Sequence, residues 1–143
     1  MIFREWKEQD ILAIAELEKK CFEKDAWTQS AFISAFQSPA FRSVLVEEDG
    51  EIIAYGGITV AGDADIENVA VSPAHRRLGL GEKILQNLLQ TAKNEGAENV
   101  FLEVRVSNAP AMQMYLKNGF VGIYARTRYY PDGEDCLIMK KSL

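Results

Sequence analysis

The chain has 143 residues, which is the length of a single domain, since domains typically span roughly 100 to 200 residues. Its 16 Lys and Arg residues stand against 21 Asp and Glu residues, and the resulting net charge of −5 argues against nucleic-acid binding as the main function. Hydrophobic residues make up 48% and charged residues 26%, the balance of an ordinary water-soluble domain that buries its own core.

The first half of the chain combines short strands with two helices. Hydrophobic periodicity and turn residues predict, in chain order, a strand at 2–6, a helix at 10–23, a shorter helix between Thr28 and Pro39, and strands at 43–48 and 51–60. Thr28 suits a helix cap because its hydroxyl can accept a hydrogen bond from a first-turn N–H group, and Pro39 stops that helix. Asp49-Gly50 is a typical turn signal, so we expect the last two strands to form a hairpin.

The second half alternates strands and helices. In chain order, the same patterns predict a strand at 65–71, a loop at 72–81, a long helix that ends before Gly96, a strand at 100–106, a helix that Asn108 caps and that ends at Lys117, and strands at 120–130 and 135–140. About seven strands and four helices indicate an α/β fold with a mixed, largely antiparallel sheet. Because no linker or repeat interrupts the chain, we expect residues 1–143 to form one domain.

The N-terminus and the cysteines indicate a cytoplasmic protein without a metal. Four of the first eight residues are charged where a signal peptide would be apolar. Because no segment approaches about 18 continuous apolar residues, we also expect no membrane span. Cys21 and Cys136 lie far apart, and His75 is the single histidine, so the sequence offers neither a disulfide framework nor a metal site.

A glycine-rich loop connects the strand at 65–71 to the long helix. Its sequence is Arg76-Arg77-Leu78-Gly79-Leu80-Gly81, and it places unpaired N–H groups and the positive helix end where an anion can bind. Two arginines could add bidentate bonds to a phosphate, although a tight turn with two solvated arginines is the alternative. Glu82 in place of Lys excludes a nucleotide-hydrolysing loop, and Ile84 in place of Gly excludes a dinucleotide fingerprint.

The loop resembles the acyl-CoA loop of the GNAT-type N-acetyltransferases, whose hallmark is Arg/Gln-x-x-Gly-x-Gly/Ala at the start of a long helix. Arg76, Gly79 and Gly81 match that hallmark. The resemblance implies the GNAT fold, a mostly antiparallel seven-stranded sheet flanked by four helices, and acetyl-CoA as co-substrate. It also implies that acetyl-CoA is bound by the following residues: Val69, Ala70, Val71, Arg76, Arg77, Leu78, Gly79, Leu80, Gly81, Glu82 and Asn108.

Two further segments resemble the RimI type of this family, the ribosomal-protein-alanine N-acetyltransferases. The first is Leu-Glu-Val-Arg-Val-Ser-Asn at 102–108, and the second is Arg-Tyr-Tyr at 128–130. The resemblance implies that the acceptor is the N-terminal alanine of a small-subunit ribosomal protein. It further implies that Trp27, Tyr129 and Tyr130 line the acceptor cleft, although core packing explains these aromatic residues almost as well.

Two carboxylates are candidates for the base that acetyl transfer to an amine requires. An N-terminal ammonium has a pKa near 8 and must lose a proton before it can attack a thioester. Glu103 is our candidate because it leaves a strand on the face opposite the apolar row; an ion pair with Arg105, on the same face, is the alternative. Glu67 is the rival base, since strand alternation places it on one face with Val69 and Val71.

Tyr115 is the candidate acid, because a phenol can protonate the thiolate that leaves a thioester. Asn108 precedes Tyr115 by seven residues, about two helical turns, so both side chains can meet one extended ligand. Asn108 as a simple cap and Tyr115 as a core aromatic are the alternatives.

Two other functions stay open at this point. The acceptor could be a small-molecule amine, or the chain could be a non-catalytic module that senses acyl-CoA. Tyr129 and Tyr130 argue against the first, and the presence of Glu103 and Tyr115 argues against the second. A net charge of −5 suits a basic protein partner such as a ribosomal protein, and we expect neither nucleic acid nor a membrane as a direct partner.

Overall fold

The computed structural model describes residues 1–143 and contains the seven strands and four helices that the sequence predicts. The strands are β1 (Ile2–Arg4), β2 (Phe41–Glu48), β3 (Glu51–Ala61), β4 (Asp63–Val71), β5 (Asn99–Arg105), β6 (Val121–Arg126) and β7 (Cys136–Ser142). The helices are α1 (Ile11–Cys21), α2 (Gln29–Gln37), α3 (Leu80–Asn94) and α4 (Ala109–Lys117).

All seven strands form one sheet in the order β1-β2-β3-β4-β5-β7-β6. Every neighbouring pair is antiparallel except β4 and β5, which are parallel and lie at the centre of the sheet. The expected mixed, largely antiparallel sheet is therefore confirmed. The single parallel pair arises because α3 connects β4 to β5 and returns the chain to the same end of the sheet.

Helices cover both faces of the sheet, and each face has its own hydrophobic core. On one face, α3 buries its apolar stripe against β2, β3 and β4, and Tyr115 of α4 belongs to the same core. On the other face, α1 and α2 pack around Trp6, Phe32 and Tyr55, whose rings meet edge to face. None of the helices has the combination of length and hydropathy that a membrane crossing needs.

Two strands are shorter than the sequence pattern predicts. β1 ends at Arg4 rather than at residue 6 because Trp6 turns into the core, where its indole N–H donates to the carbonyl of Val44 at 3.0 Å. β6 ends at Arg126 rather than at residue 130, and Arg128 has a positive φ of 51° that no regular strand accommodates. The residues after β6 therefore form a loop instead of extending the strand.

Candidate active site

A central cleft opens where β4 and β5 separate. The two strands pair only at Ala64 with Val100 and at Asp65 with Phe101, so the remainder of β4 has no strand partner on this side. The cleft has a volume of about 380 Å³ and is lined by α1, β4, β5, α4 and two loops. Because unpaired backbone groups need other partners, this edge of β4 is available to an extended polar ligand.

A β-bulge at Glu67 reverses the alternation of β4. The pairing with β3 slips by one residue between Ile66 and Asn68, which leaves Glu67 as the extra residue. As a result Ile66 and Val69, three residues apart, both pack into the core under α3, and Val71 follows Val69. The expectation that Glu67 shares a face with Val69 and Val71 is therefore wrong, since simple alternation does not continue through a bulge.

The carboxylates of Glu67 and Glu103 lie in the same cleft. Glu67 accepts a hydrogen bond from the Thr59 hydroxyl at 3.0 Å. Burial raises the pKa of Glu67, and the nearby charges of Asp65 and Glu103 raise it further. Glu103 is exposed and accepts a hydrogen bond from the Tyr129 hydroxyl at 3.1 Å.

The alternative of an ion pair between Glu103 and Arg105 is not what the structure contains. Arg105 instead directs its guanidinium to Asp25, Asp132 and Glu134. Glu103 therefore lines the cleft without an ion pair to Arg105, and the Tyr129 hydroxyl is the hydrogen-bond donor to its carboxylate.

Asn108 and Tyr115 of α4 also line the cleft. Asn108 caps the helix, since its Oδ1 accepts a hydrogen bond from the N–H group of Ala111 at 3.3 Å. The Tyr115 ring packs edge to face on Phe120 at 5.7 Å. Burial raises the pKa of Tyr115 to about 12, so this phenol keeps its proton at neutral pH.

The glycine-rich loop leads from β4 into α3. Gly79 precedes the helix with a left-handed φ of 76°, and no side chain caps the first turn. The N–H groups that begin α3 therefore lack side-chain partners and carry the positive end of the helix dipole. Arg77 is exposed beside them, while Arg76 turns back and donates from its Nε to the carbonyl of Val71 at 3.3 Å.

Several loop and strand residues have side chains that are apolar or already paired within the protein. The side chains of Ala70 and Leu80 are buried in the two cores. The carboxylate of Glu82 pairs with Lys117 at 3.1 Å. Leu78 is exposed. At Ala70, Leu78 and Leu80 the polar atoms that a ligand can bind are therefore the backbone N–H and C=O groups.

Two loops close the outer end of the cleft. The α1–α2 loop (22–28) contributes Trp27, and the β6–β7 loop (127–135) contributes Tyr129 and Tyr130. The rings of Tyr129 and Tyr130 lie 5.1 Å apart, edge to face. All three aromatic residues that the sequence analysis selected therefore line the same cleft as Glu103.

The family pattern described as acetyltransferase (GNAT) matches residues 11–120, which include the separated strands, the uncapped helix and the glycine-rich loop. The chain belongs to this GNAT family. It is 35% identical over 117 residues to an Escherichia coli K12 protein named ribosomal protein bS18-alanine N-acetyltransferase, and the match covers 79% of this chain and 78% of that protein. It is 32% identical to the N-alpha-acetyltransferase RimI of Mycobacterium tuberculosis, over 92% of this chain and 86% of the relative.

Solved structures of the GNAT family agree with the fold. The crystal structure of the ribosomal-protein-S18-alanine N-acetyltransferase from Escherichia coli superposes with a TM-score of 0.91 at 30% identity. The superposition covers 99% of this chain and 92% of that one. The expected GNAT fold is therefore confirmed over the whole chain, and the chain is an N-acetyltransferase of this family.

The residues present fit acetyl-CoA, the acetyl donor of GNAT acetyltransferases. The free edge of β4 offers peptide groups to an amide-containing arm, and the uncapped start of α3 beside Arg77 offers N–H groups and a cation to a diphosphate. No group of three or more His, Cys, Asp or Glu side chains is arranged to hold a metal ion.

Glu18 also lines the cleft, although the sequence patterns considered above did not predict it. It lies on α1, is 2% exposed, and accepts hydrogen bonds from the Tyr55 hydroxyl and from the Trp27 N–H group, the latter at 2.9 Å. Burial raises its pKa. A signal existed, because Glu18 follows Ile11 and Ile14 at helical spacing and so interrupts the apolar stripe of α1 with a charge.

Proposed function

We propose that this N-acetyltransferase transfers an acetyl group from acetyl-CoA to the α-amino group of a protein N-terminus, and that the acceptor is the N-terminal alanine of a small-subunit ribosomal protein. The name of the E. coli relative, ribosomal protein bS18-alanine N-acetyltransferase, supports this acceptor, and the name of the M. tuberculosis relative supports acetylation of an α-amino group. The observation that carries the proposal is the cleft between β4 and β5, where Glu103, Asn108 and Tyr115 line one cavity.

The donor occupies the side of the cleft formed by β4, α3 and α4. The backbone of residues 69–71 binds the pantetheine arm, and the Asn108 amide adds a hydrogen bond while its oxygen caps α4. The N–H groups of residues 77–82 and the Arg77 guanidinium bind the diphosphate. This arrangement uses backbone groups, which explains why buried side chains such as Leu80 are compatible with the role.

Glu103 removes the proton from the acceptor ammonium, directly or through a water molecule. Its carboxylate is open to the cleft, and the Tyr129 hydroxyl holds it at 3.1 Å. Once neutral, the amine attacks the thioester carbonyl, and the carbon–sulfur bond breaks. Glu67 lines the same cleft from the bulge of β4. Its carboxylate accepts a hydrogen bond from Thr59 of β3, which makes it the less accessible of the two carboxylates.

Tyr115 donates its proton to the leaving thiolate. Its pKa of about 12 keeps the phenol protonated near pH 8, where the amine loses its proton. Its contact with Phe120 fixes the ring and therefore the direction of the hydroxyl. The acceptor peptide lies on the opposite side, between Trp27 and the Tyr129-Tyr130 pair, which give an extended chain flat walls with hydroxyl groups.

The test is acetyl transfer to a panel of peptides with free α-amino groups, peptides with lysine and a blocked N-terminus, and small amines, with mass-spectrometric mapping of the product. We expect turnover with α-amino peptides and the highest kcat/KM with an N-terminal alanine from a small-subunit ribosomal protein. Tyr115→Phe, which keeps the ring packing, should bind acetyl-CoA normally and lose turnover. Turnover restricted to small amines or lysine side chains would refute the proposed acceptor, and acetyl-CoA binding without any turnover would identify a sensor.

A further inference from the structure

Arg105 connects the two loops that close the outer end of the central cleft. Its Nε and Nη2 donate to the two oxygens of Asp25 in the α1–α2 loop, at 2.6 and 2.8 Å. Its Nη1 donates to Asp132 at 2.9 and 3.0 Å and to Glu134 at 3.0 Å, both in the β6–β7 loop. One side chain from the end of β5 thus binds both loops, an arrangement we call the Arg105 bridge.

The same two loops carry the aromatic walls of the cleft. Trp27 lies two residues after Asp25, and Tyr130 lies two residues before Asp132. The Arg105 guanidinium also stacks on the Tyr130 ring, with its carbon 4.0 Å from the ring centroid. The position of each wall is therefore tied to the same guanidinium, and the distance between the walls depends on it.

Little else joins the loops to each other. The remaining ion pair between them runs from Lys24 to Asp132, is 3.6 Å long and involves a lysine that is 75% exposed. Such exposed pairs contribute little because water screens them. Arg105 is different because its planar fork can bind two carboxylates bidentately in opposite directions, which a lysine ammonium cannot do.

We propose that Arg105 is a positioning residue that sets the spacing between the α1–α2 and β6–β7 loops and so determines affinity for the acceptor rather than for acetyl-CoA. The proposal rests on the proposed function, because that function assigns the aromatic walls to the acceptor. No hydrogen bond or ion pair joins the Arg105 side chain to the donor groups on β4 or at the start of α3, and the N–H group of Asn108 bonds only to the backbone carbonyl of Arg105. A change of the Arg105 side chain should therefore act on the acceptor and spare the donor.

The kinetic test compares Arg105→Lys with Arg42→Lys. Arg42 is a matched control, since its Nε and Nη2 form a bidentate pair with Glu95 at 2.8 and 2.9 Å on the surface away from the cleft. We expect Arg105→Lys to raise the KM for the acceptor peptide about tenfold and to change kcat and the Kd for acetyl-CoA less than twofold, whereas Arg42→Lys changes none of them. An unchanged acceptor KM, or an equal loss of affinity for both substrates, would overturn the proposal.

A second measurement does not depend on catalysis. Hydrogen exchange of the ligand-free protein is compared between wild type and Asp25→Asn, which removes a charge from the α1–α2 loop alone. Because Arg105 couples the loops, we expect amide exchange to accelerate severalfold in the β6–β7 loop as well. Acceleration limited to the α1–α2 loop would show that the bridge does not couple them. If wild type fails to acetylate any α-amino peptide, the proposed function fails, and the exchange result still decides whether the bridge exists.

Discussion

The two carboxylates of the cleft differ in how the protein holds them. Glu103 stands at an exposed strand position and has only the Tyr129 phenol as a partner. Glu67 is half-buried, sits on a bulge and is bonded to Thr59. Burial raises the pKa of Glu67 and so makes that carboxylate a stronger base, whereas Glu103 is the more exposed of the two. Paired substitutions of the two carboxylates test the proposed assignment of the base role to Glu103.

We expect Glu103→Gln to lower kcat about 100-fold, because general-base catalysis contributes roughly that much or more. In wild type, activity should increase as the pH approaches 8 because the amine loses its proton. In Glu103→Gln this increase should be smaller, so that the loss of activity is greatest at high pH. Glu67→Gln keeps the Thr59 contact and should stay within a few-fold of wild type. The measurement is kcat and kcat/KM between pH 6 and 9 for all three proteins, and an inactive Glu67→Gln with an active Glu103→Gln would transfer the base role to Glu67.

At the scale of elements, the start of α3 combines a left-handed glycine with N–H groups that no side chain caps. Gly79 has a φ of 76°, which L-residues with a side chain adopt only at a cost. No atom lies within 4 Å of the position where a Cβ would be, so the constraint is conformational and not steric. Gly96, just past the other end of the same helix, has a φ of 86° and equally open surroundings.

These two glycines give a controlled test of the proposed diphosphate site. We expect Gly79→Ala and Gly96→Ala each to destabilise the fold by about 1 kcal/mol, the usual cost of a left-handed alanine. Only Gly79→Ala should weaken acetyl-CoA binding, about fivefold, because it alone changes the N–H groups at the proposed site. Calorimetric titration and urea unfolding measure the two quantities, and equal Kd values for the two variants would contradict the assignment.

At the scale of the whole molecule, Glu18 ties together a helix, the sheet and a cleft loop. It extends from α1 and bonds to Tyr55 of β3 and to the backbone of Trp27. Burial outweighs these two bonds and raises its pKa above the usual 4.5. The folded state therefore binds the Glu18 proton more tightly than the unfolded state, and this group makes the protein less stable as the pH rises from about 4.5 through the raised pKa.

Glu18→Gln should remove that pH dependence. An amide can still accept from the Trp27 N–H group and donate to the Tyr55 oxygen. The free energy of unfolding of the variant should thus increase relative to wild type as the pH rises from 5 to 8, when each is measured by urea unfolding. Glu16→Gln, on the exposed side of the same helix, is the control. Its free energy of unfolding should differ from that of wild type by the same amount at every pH. A flat difference for Glu18→Gln would mean that its carboxyl ionises with an ordinary pKa.

Much of the architecture is readable from local patterns. Thr28 and Asn108 cap their helices as predicted, with hydrogen bonds of 3.1 and 3.3 Å to N–H groups three residues on. The clean alternation of β5 places Leu102 in the core and Glu103 on the opposite face. These features depend on neighbours within a few residues, so the sequence carries them directly.

Other features escaped the sequence because they depend on distant partners. The bulge at Glu67 arises from the pairing of β4 with β3, and no residue type or spacing within β4 predicts it. The partners of Arg105 lie 80 and 27 residues away at Asp25 and Asp132, so the nearby Glu103 was the natural but incorrect alternative.

By itself the sequence determined the single α/β domain, the order of its elements and the glycine-rich turn that marks the family, because periodicity, caps and turn residues act over short distances. Only the tertiary structure decided how far β4 and β5 separate, which carboxylate is free and which two loops Arg105 joins. These outcomes depend on residues far apart in the chain. The register between strands, and the choice of Arg105 among several carboxylates, are fixed only when the whole sheet assembles.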